Sequence, residues 1–272
     1  MKGYQDIAKK LKAIKKMGYV RTHRAGNTGI GKTLEDLLGI KENNIPGPNA
    51  TAIELKSARR NVSSMLTLFT KSPLPKKANS VLLQKYGYPS VKNKRKELHT
   101  TVNAKDFNRL QGKPAFKIAI KNKRVNLITS KNEILGYWDK ETLKKSFERK
   151  LPKLLYVKAE AKGKGTNEEF LFNEAWLLSG FSFDNFLKLL KQGVIFVDIR
   201  IGQYLNGRVH DHGTAFRVPP DKLDLCFVHR KRITRYFYWA KELITHRIPL
   251  DEIHKGIDLM GKGEAIEIIV YP

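Results

Sequence analysis

The sequence predicts an α/β protein with two lobes, and three observations carry that prediction. Segments with helical spacing and short runs of strand character both occur along the chain, without the regular strand-helix alternation that would build a parallel sheet. The 272 residues can bury a real core, as one large domain or as two lobes. A glycine- and lysine-rich stretch, Lys162–Thr166, is the best linker candidate. The expected division is a first lobe over 1–162, a second over 163–235, and a segment over 236–272 that packs back on the core.

The elements follow in order. Tyr4–Met17 sets Ile7, Leu11 and Ile14 at helical spacing with lysines on the other face. Gly26–Gly31 is a glycine-rich turn. Thr33 stands where it could cap a short helix over Leu34–Leu38, which Gly39 ends. Asn43–Asn49 is a Pro/Gly/Asn loop into a strand over Ala52–Ser57. Lys71–Lys96 is basic and proline-bearing, as expected of a long surface excursion near phosphates. Phe116, Ile118 and Ile120 alternate, and Lys121-Asn122-Lys123 turns the chain into Val125–Ile128, which makes a hairpin. Lys140–Lys150 and Phe183–Leu190 are expected helices. Leu154–Ala159, Val194–Ile201, Cys226–Val228 and Ala265–Val270 are expected strands. Trp138, Trp176 and Trp239 are taken as core or lobe-packing residues.

Composition narrows the partners. Lys+Arg number 52 against 26 Asp+Glu, a formal charge of +26, and the pI is near 10.0. Such a charge favours a polyanion and speeds encounter with it, without specifying a fold. Hydrophobic residues make up 41% of the chain, which argues against disorder. No apolar run approaches the ~18 residues of a membrane span, and the N-terminus lacks a signal-peptide core. One cysteine, Cys226, excludes an internal disulfide or a cysteine-based zinc site and fits the cytoplasm.

Two motifs compete. Glu54-Leu55-Lys56 sits in an apolar strand frame, and alternation puts both charged side chains on one face. Such a pair can hold a divalent cation and orient water against a phosphodiester. Sites of this kind usually carry a second carboxylate just upstream, after a proline; here Pro48 is followed by Asn49. Glu148-Arg149-Lys150 and Glu160-Ala161-Lys162 repeat the Glu-x-Lys spacing, the first in a helical charge run and the second beside the linker, where solvated surface is expected. The rival is Gly26–Thr33, which fits the phosphate-loop pattern G-x-x-x-x-G-K-[ST], with Asp198 after an apolar strand as its magnesium ligand. That ATPase arrangement needs a buried strand before the loop and a substantial helix after it. The charged run Tyr19–Arg24 and a helix of barely two turns supply neither.

Taken together, GNTGIGKTLEDLLGI (26–40), PN-x4-ELKSAR (48–59) and SMLTLFTKSP (64–73) resemble the restriction endonucleases of the MvaI and BcnI type, relatives of the mismatch-repair nickase MutH. The resemblance implies a PD-(D/E)xK nuclease core, a mixed sheet flanked by helices, plus a DNA-recognition lobe that forms a cleft. It implies that position 49, an Asp in the family, and Glu54 bind Mg²⁺, that Lys56 positions or activates water, and that Glu35 helps complete the site. Glu35 also suits a surface helix beside Asp36. Asn49 keeps a carbonyl oxygen but loses the charge that attracts Mg²⁺, so cleavage should fall while DNA binding survives. An engineered change made to trap uncleaved DNA accounts for this most simply. A naturally inactive homologue, or Glu42 acting in its place, are the alternatives. The resemblance further implies a monomer that nicks one strand at a time at a short, near-palindromic CC-N-GG type of site in double-stranded DNA. A cognate DNA methyltransferase would be its functional partner. A MutH-like repair nickase is the neighbouring alternative.

Base-edge chemistry concentrates late in the chain. Asp198 and Arg200 share a strand face; an Asp accepts from cytosine N4 and an Arg binds guanine O6 and N7. His210 and Arg217 suit the other half of the site, and the Asp-x-Arg … His-x6-Arg pattern is similar to the reading elements of the same family. The Asp198–Arg200 pair also suits a salt bridge, and His210-Asp211-His212 also suits a turn cap or a metal. Arg208 and His212 are further candidate DNA contacts. Arg230, Lys231 and Arg232 read as a phosphate-contact surface.

Overall fold

The computed structural model describes residues 4–40, 53–60, 64–151, 153–234, 244–265 and 267–271. Asn49 and its loop, Glu42 and Trp239 lie outside them. The chain forms two compact units, residues 1–234 and 235–272.

The first unit opens with α1 (Tyr4–Lys16), β1 (Val20–Arg21), α2 (Gly29–Leu38), β2 (Glu54–Arg59) and β3 (Leu66–Thr70). Next come α3 (Ala78–Tyr86), β4 (Tyr88–Pro89), β5 (Lys96–Val102), β6 (Arg109–Leu110) and β7 (Lys113–Pro114). The expected hairpin is β8 (Phe116–Lys121) and β9 (Arg124–Thr129), continued by β10 (Ile134–Asp139) and α4 (Lys140–Lys150). Then follow β11 (Lys153–Lys162), β12 (Glu169–Ser179), α5 (Phe183–Lys191), β13 (Phe196–Gln203), β14 (Val209–Asp211) and β15 (Ala215–Val218). Helix α6 (Leu223–Cys226) and β16 (His229–Thr234) end the unit. The second unit pairs β17 (Ile244–Pro249) in parallel with β18 (Glu267–Tyr271), and α7 (Ile253–Gly261) lies between them in the chain.

Two sheets organise the first unit. One is mixed and runs β1-β12-β11-β2, with β16 also on β12; β2 and β11 are parallel and the other pairs antiparallel. The other is antiparallel, β3-β15-β13-β5-β4, with β14 on β13. Strand alternation in β11 divides the interior. Leu155, Val157 and Ala159 join Leu11 and Ile14 of α1 and Ile30, Leu34 and Leu38 of α2 in one core. Leu154 and Tyr156 point the opposite way, into a larger core shared with Val197, Ile199 and Phe216 of the second sheet. Each fully buried aliphatic side chain contributes roughly 1.5–3 kcal/mol, so β11 is stabilised from both faces.

Several expectations are corrected. Lys162–Thr166 is not a linker: Lys162 pairs with Glu169, and the segment turns a hairpin inside one sheet. The second sheet takes β3–β5 from before that turn and β13–β15 from after it, so no cut at 162/163 separates two bodies. Ladder partners are neighbours in space, and a linear boundary does not see them. Lys71–Lys96 is more than a surface excursion, because α3 buries Leu82 and Leu83. Cys226–Val228 closes α6 instead of forming a strand; pairing with β12 begins at His229. The residue 226 thiol is buried, and burial pushes its pKa up to about 12.

Thr33 is no cap. Helix α2 starts at Gly29, and the buried Thr33 hydroxyl donates to the Gly29 carbonyl at 2.8 Å while accepting the His23 N–H at 2.9 Å. A Cβ on Gly29 would stand 2.2 Å from the Arg24 carbonyl oxygen, whereas one on Gly31 meets only the Ser57 hydroxyl at 3.7 Å. Gly29→Ala should therefore cost about 1–3 kcal/mol from overpacking. Gly31→Ala should be neutral or stabilise by about 0.5–1 kcal/mol, as for a helical Gly replaced by Ala. Urea unfolding of the two variants checks the contrast, which equal losses would contradict.

Candidate functional site

Residues Ile53 and Leu55 pack toward the α1/α2 core, so Glu54 and Lys56 face the other side of the sheet. There the Glu54 carboxylate is gripped by two ammonium groups: Lys56 Nζ lies 3.0 Å from Oε1, and Lys150 Nζ lies 3.5 Å from Oε2. All three side chains are mostly buried. Lys150, expected as solvated surface, arrives because it ends α4 immediately before β11, whose Leu154 lies opposite Glu54. Its Glu-x-Lys spacing carried no signal of this, since the partner is 96 residues away. Glu35 is half-buried on α2, and that helix covers the opposite face of β2.

Lys56 also starts a row across the sheet: Lys56 pairs with Tyr156, Tyr156 with Trp176, and Trp176 with Arg232. The Tyr156 hydroxyl titrates at about 12, because burial and then the Glu174 charge oppose its ionisation, so it stays neutral and is no general base at neutral pH. Trp176 is only partly buried, and its indole N–H donates to Glu174 Oε1 at 2.7 Å.

The phosphate-loop reading does not survive the geometry. Lys32 Nζ is ion-paired with Asp36 at 2.8 Å, and Arg59 donates to the Gly26 carbonyl at 3.2 Å while its Nε binds Glu168 at 2.6 Å. The preceding strand, β1, has two residues and runs antiparallel to β12, and Asp198 belongs to the other sheet. Lys32 is thus held within its own helix, and the turn before it is fixed by Arg59 of β2.

The base-reading candidates converge. In β13, Val197, Ile199 and Ile201 fill the large core, so Asp198, Arg200 and Gly202 face outward. Asp198 lies opposite Thr101, and Arg200 opposite His99. The Asp198 side chain is 1% exposed: Oδ1 accepts from the Thr101 hydroxyl at 2.9 Å, and Oδ2 meets Arg200 Nε at 3.0 Å and Arg217 Nη1 at 3.1 Å. Both Asp198 oxygens, expected to face a cytosine, are engaged within the protein. Asp198 holds two guanidiniums in place, and Arg200 remains 44% exposed.

Beside them His210 packs on Tyr204 with ring centroids 4.5 Å apart and on His212 at 4.1 Å. Gly202 permits this, since a Cβ there would stand 2.9 Å from His212 Nε2. Burial, then the nearby His210 and His99, hold the His212 pKa below its ordinary value. Tyr204, His210, His212 and Arg95 help line a pocket of about 300 Å³. Tyr204 and His99 escaped the sequence reading, having no motif of their own. Asp211 caps its turn, accepting from the backbone N–H groups of Gly213 and Thr214, and no cluster of three metal-ligating side chains occurs among the described residues. Among those residues no helix is long and apolar enough to cross a membrane.

Removing the shared acceptor leaves two guanidiniums and a hydroxyl unpartnered. Asp198→Ala should cost about 3 kcal/mol of stability, and Arg200→Ala, from a half-exposed position, about 1 kcal/mol or less. Urea titration ranks the two, and an equal or inverted order would refute the holding role.

The family model for the MvaI/BcnI restriction endonuclease family matches residues 8–227. Among solved structures, the chain is similar to the restriction endonuclease MvaI in complex with its cognate DNA substrate. That match has 32% identity and a TM-score of 0.75, and covers 86% of this chain and 100% of the other. The structure of MvaI in the absence of DNA matches at 29% identity with a TM-score of 0.52, covering 86% and 99%. No curated protein matches the chain. With a mixed α/β architecture that matches the MvaI structures and a family match over most of its length, the chain belongs to the MvaI/BcnI restriction endonuclease family.

Proposed function

We propose that the chain is a sequence-specific endonuclease for double-stranded DNA, with its hydrolytic centre at Glu54 and Lys56 and its base readers on the β13 sheet. The observation that carries this reading is the Glu54–Lys56 pair at 3.0 Å on β2, in a unit that also presents the Asp198-held arginines. A net charge of +26 supports a polyanionic substrate.

Mg²⁺ is the cation we assign to the centre. The Glu54 carboxylate is a hard oxygen donor of the kind such a cation takes, and its two oxygens already attract cationic groups, while Glu35 stands on the helix that covers the opposite face of β2. When bound, the ion would stabilise charge on the phosphate and lower the pKa of a water molecule. Lys56, held by Glu54, orients the attacking water. Lys150 adds a second positive charge at the same carboxylate, which favours an approaching phosphate and opposes a cation. Asn49 removes one negative charge from this balance, so the chain as it stands binds DNA and cuts it poorly. Family membership supports a monomer, sequential nicking at a CC-N-GG type of site, and a companion methyltransferase that protects the host's DNA.

On the sheet side, Arg200 and Arg217 are assigned to guanines, with His210 or His212 completing the half-site. Asp198 serves by fixing both guanidiniums, and Arg208 is assigned to the backbone.

Incubating the Asn49→Asp protein with plasmid and Mg²⁺ should give discrete fragments, where the unaltered chain gives little or no cutting. A smear, or no gain on reversion, would sink the site assignment. Arg200→Ala should lose about 1–3 kcal/mol of binding to the cognate duplex and little to an unrelated one. Equal losses on both duplexes would make Arg200 a phosphate contact and remove the base-reading claim.

A further inference from the structure

The sequence reads Arg230, Lys231 and Arg232 as a phosphate-contact surface, and the geometry of β16 singles out two of them. His229 to Thr234 form the edge partner of β12, with Arg230 opposite Leu178 and Arg232 opposite Trp176. Alternation puts both arginines on the same face as Trp176, and their guanidinium carbons lie 4.9 and 5.3 Å from its ring centroid. The platform is held from below. Glu174 accepts the indole N–H at 2.7 Å, and Lys158 lies 3.8 Å from the same carboxylate oxygen while its ammonium sits 5.6 Å from the Tyr156 ring. Arg232 Nε donates to the Thr234 carbonyl at 3.1 Å, and Arg230 pairs with Asp224, so neither guanidinium is a freely swinging group.

Row by row, this platform shares a sheet face with the proposed hydrolytic centre. Lys56, Tyr156, Trp176 and Arg232 are consecutive cross-strand partners over four adjacent strands. At the usual strand spacing, Arg232 starts roughly 14 Å from Lys56. Between them stand Lys158 over Tyr156 and then the arginines over Trp176, a line of positive charge across the sheet. Because guanidinium already covers the indole, the platform does not offer that ring to an unstacked base. A planar guanidinium fork held in place suits a phosphate instead.

We propose that this face is a track for the DNA backbone, on which Arg230 and Arg232, held by Trp176, grip phosphates of the cut strand a few nucleotides from the scissile bond. The proposal rests on the reading of Glu54–Lys56 as the hydrolytic centre. It makes Trp176 a positioning residue for phosphate contacts, in place of the packing role expected from sequence.

Binding of the full chain to a cognate and a scrambled duplex, followed by fluorescence anisotropy over a salt series, tests it. Arg232→Ala should weaken both duplexes by the same factor and reduce the slope of log K against log salt by about 0.9, the value for one phosphate contact. Trp176→Leu should reproduce that loss of slope through the released arginines, and Trp176→Phe should restore most of it. Neutral methylphosphonates placed one by one along the cut strand should locate a position where the unaltered chain weakens and Arg232→Ala does not. An unchanged salt slope in a folded Arg232→Ala protein overturns the track, as does a loss confined to the cognate duplex. The nuclease reading fails separately: a reduced slope together with no cutting by the Asn49→Asp protein would keep the phosphate contact and discard Glu54–Lys56 as its neighbour.

Discussion

The parallel pairing of β2 with β11 is the constraint on which the rest depends. It places Leu154 beside Glu54 and Tyr156 beside Lys56, and so decides what the charged pair faces. Because β11 is buried on both faces, its register is strongly specified: a slip by one residue would exchange Leu155 and Val157 for Leu154 and Tyr156. The same register brings the end of α4, and with it Lys150, to the carboxylate of Glu54. The row from Lys56 to Arg232 follows from the neighbouring ladders. The candidate centre, set in this way, inherits the stability of two cores.

In a chain with this much positive charge, the acidic groups are placed to organise cations. Asp198 serves two arginines and a hydroxyl, Glu54 two lysines, and Glu168 makes two bonds of 2.6 Å to Arg59. Each is largely buried, where an unpaired carboxylate would be costly, and each pairing fixes a side chain that solvent would leave mobile. The proposed function needs that order, since base readout depends on guanidiniums held at set positions and angles. Exposed pairs such as Lys145–Glu141 are worth far less.

Much of this was legible in the sequence because it is local. The α1 periodicity, the β8–β9 hairpin and the span of α4 follow from spacing within a few residues. Glu54-Leu55-Lys56 could be assigned one sheet face, and Asp198 and Arg200 another, because alternation is a property of any strand. Thr33 was misread because a hydroxyl near glycines suits a cap and an i−4 back-bond equally. Lys162–Thr166 was misread because a tight hairpin and a linker draw on the same residues.

By itself, then, the sequence determined the charge that selects a polyanion, the α/β class, the residue types of the candidate centre and the neutral amide at position 49. Only the tertiary structure decided which groups meet: Lys150 with Glu54, Arg217 with Asp198, and the two arginines with Trp176. These contacts join residues far apart in the chain, through ladders whose partners and registers are selected by burial of whole faces. No local pattern encodes that choice, so the roles of Lys150, Trp176 and Asp198 became readable only when the sheets were assembled.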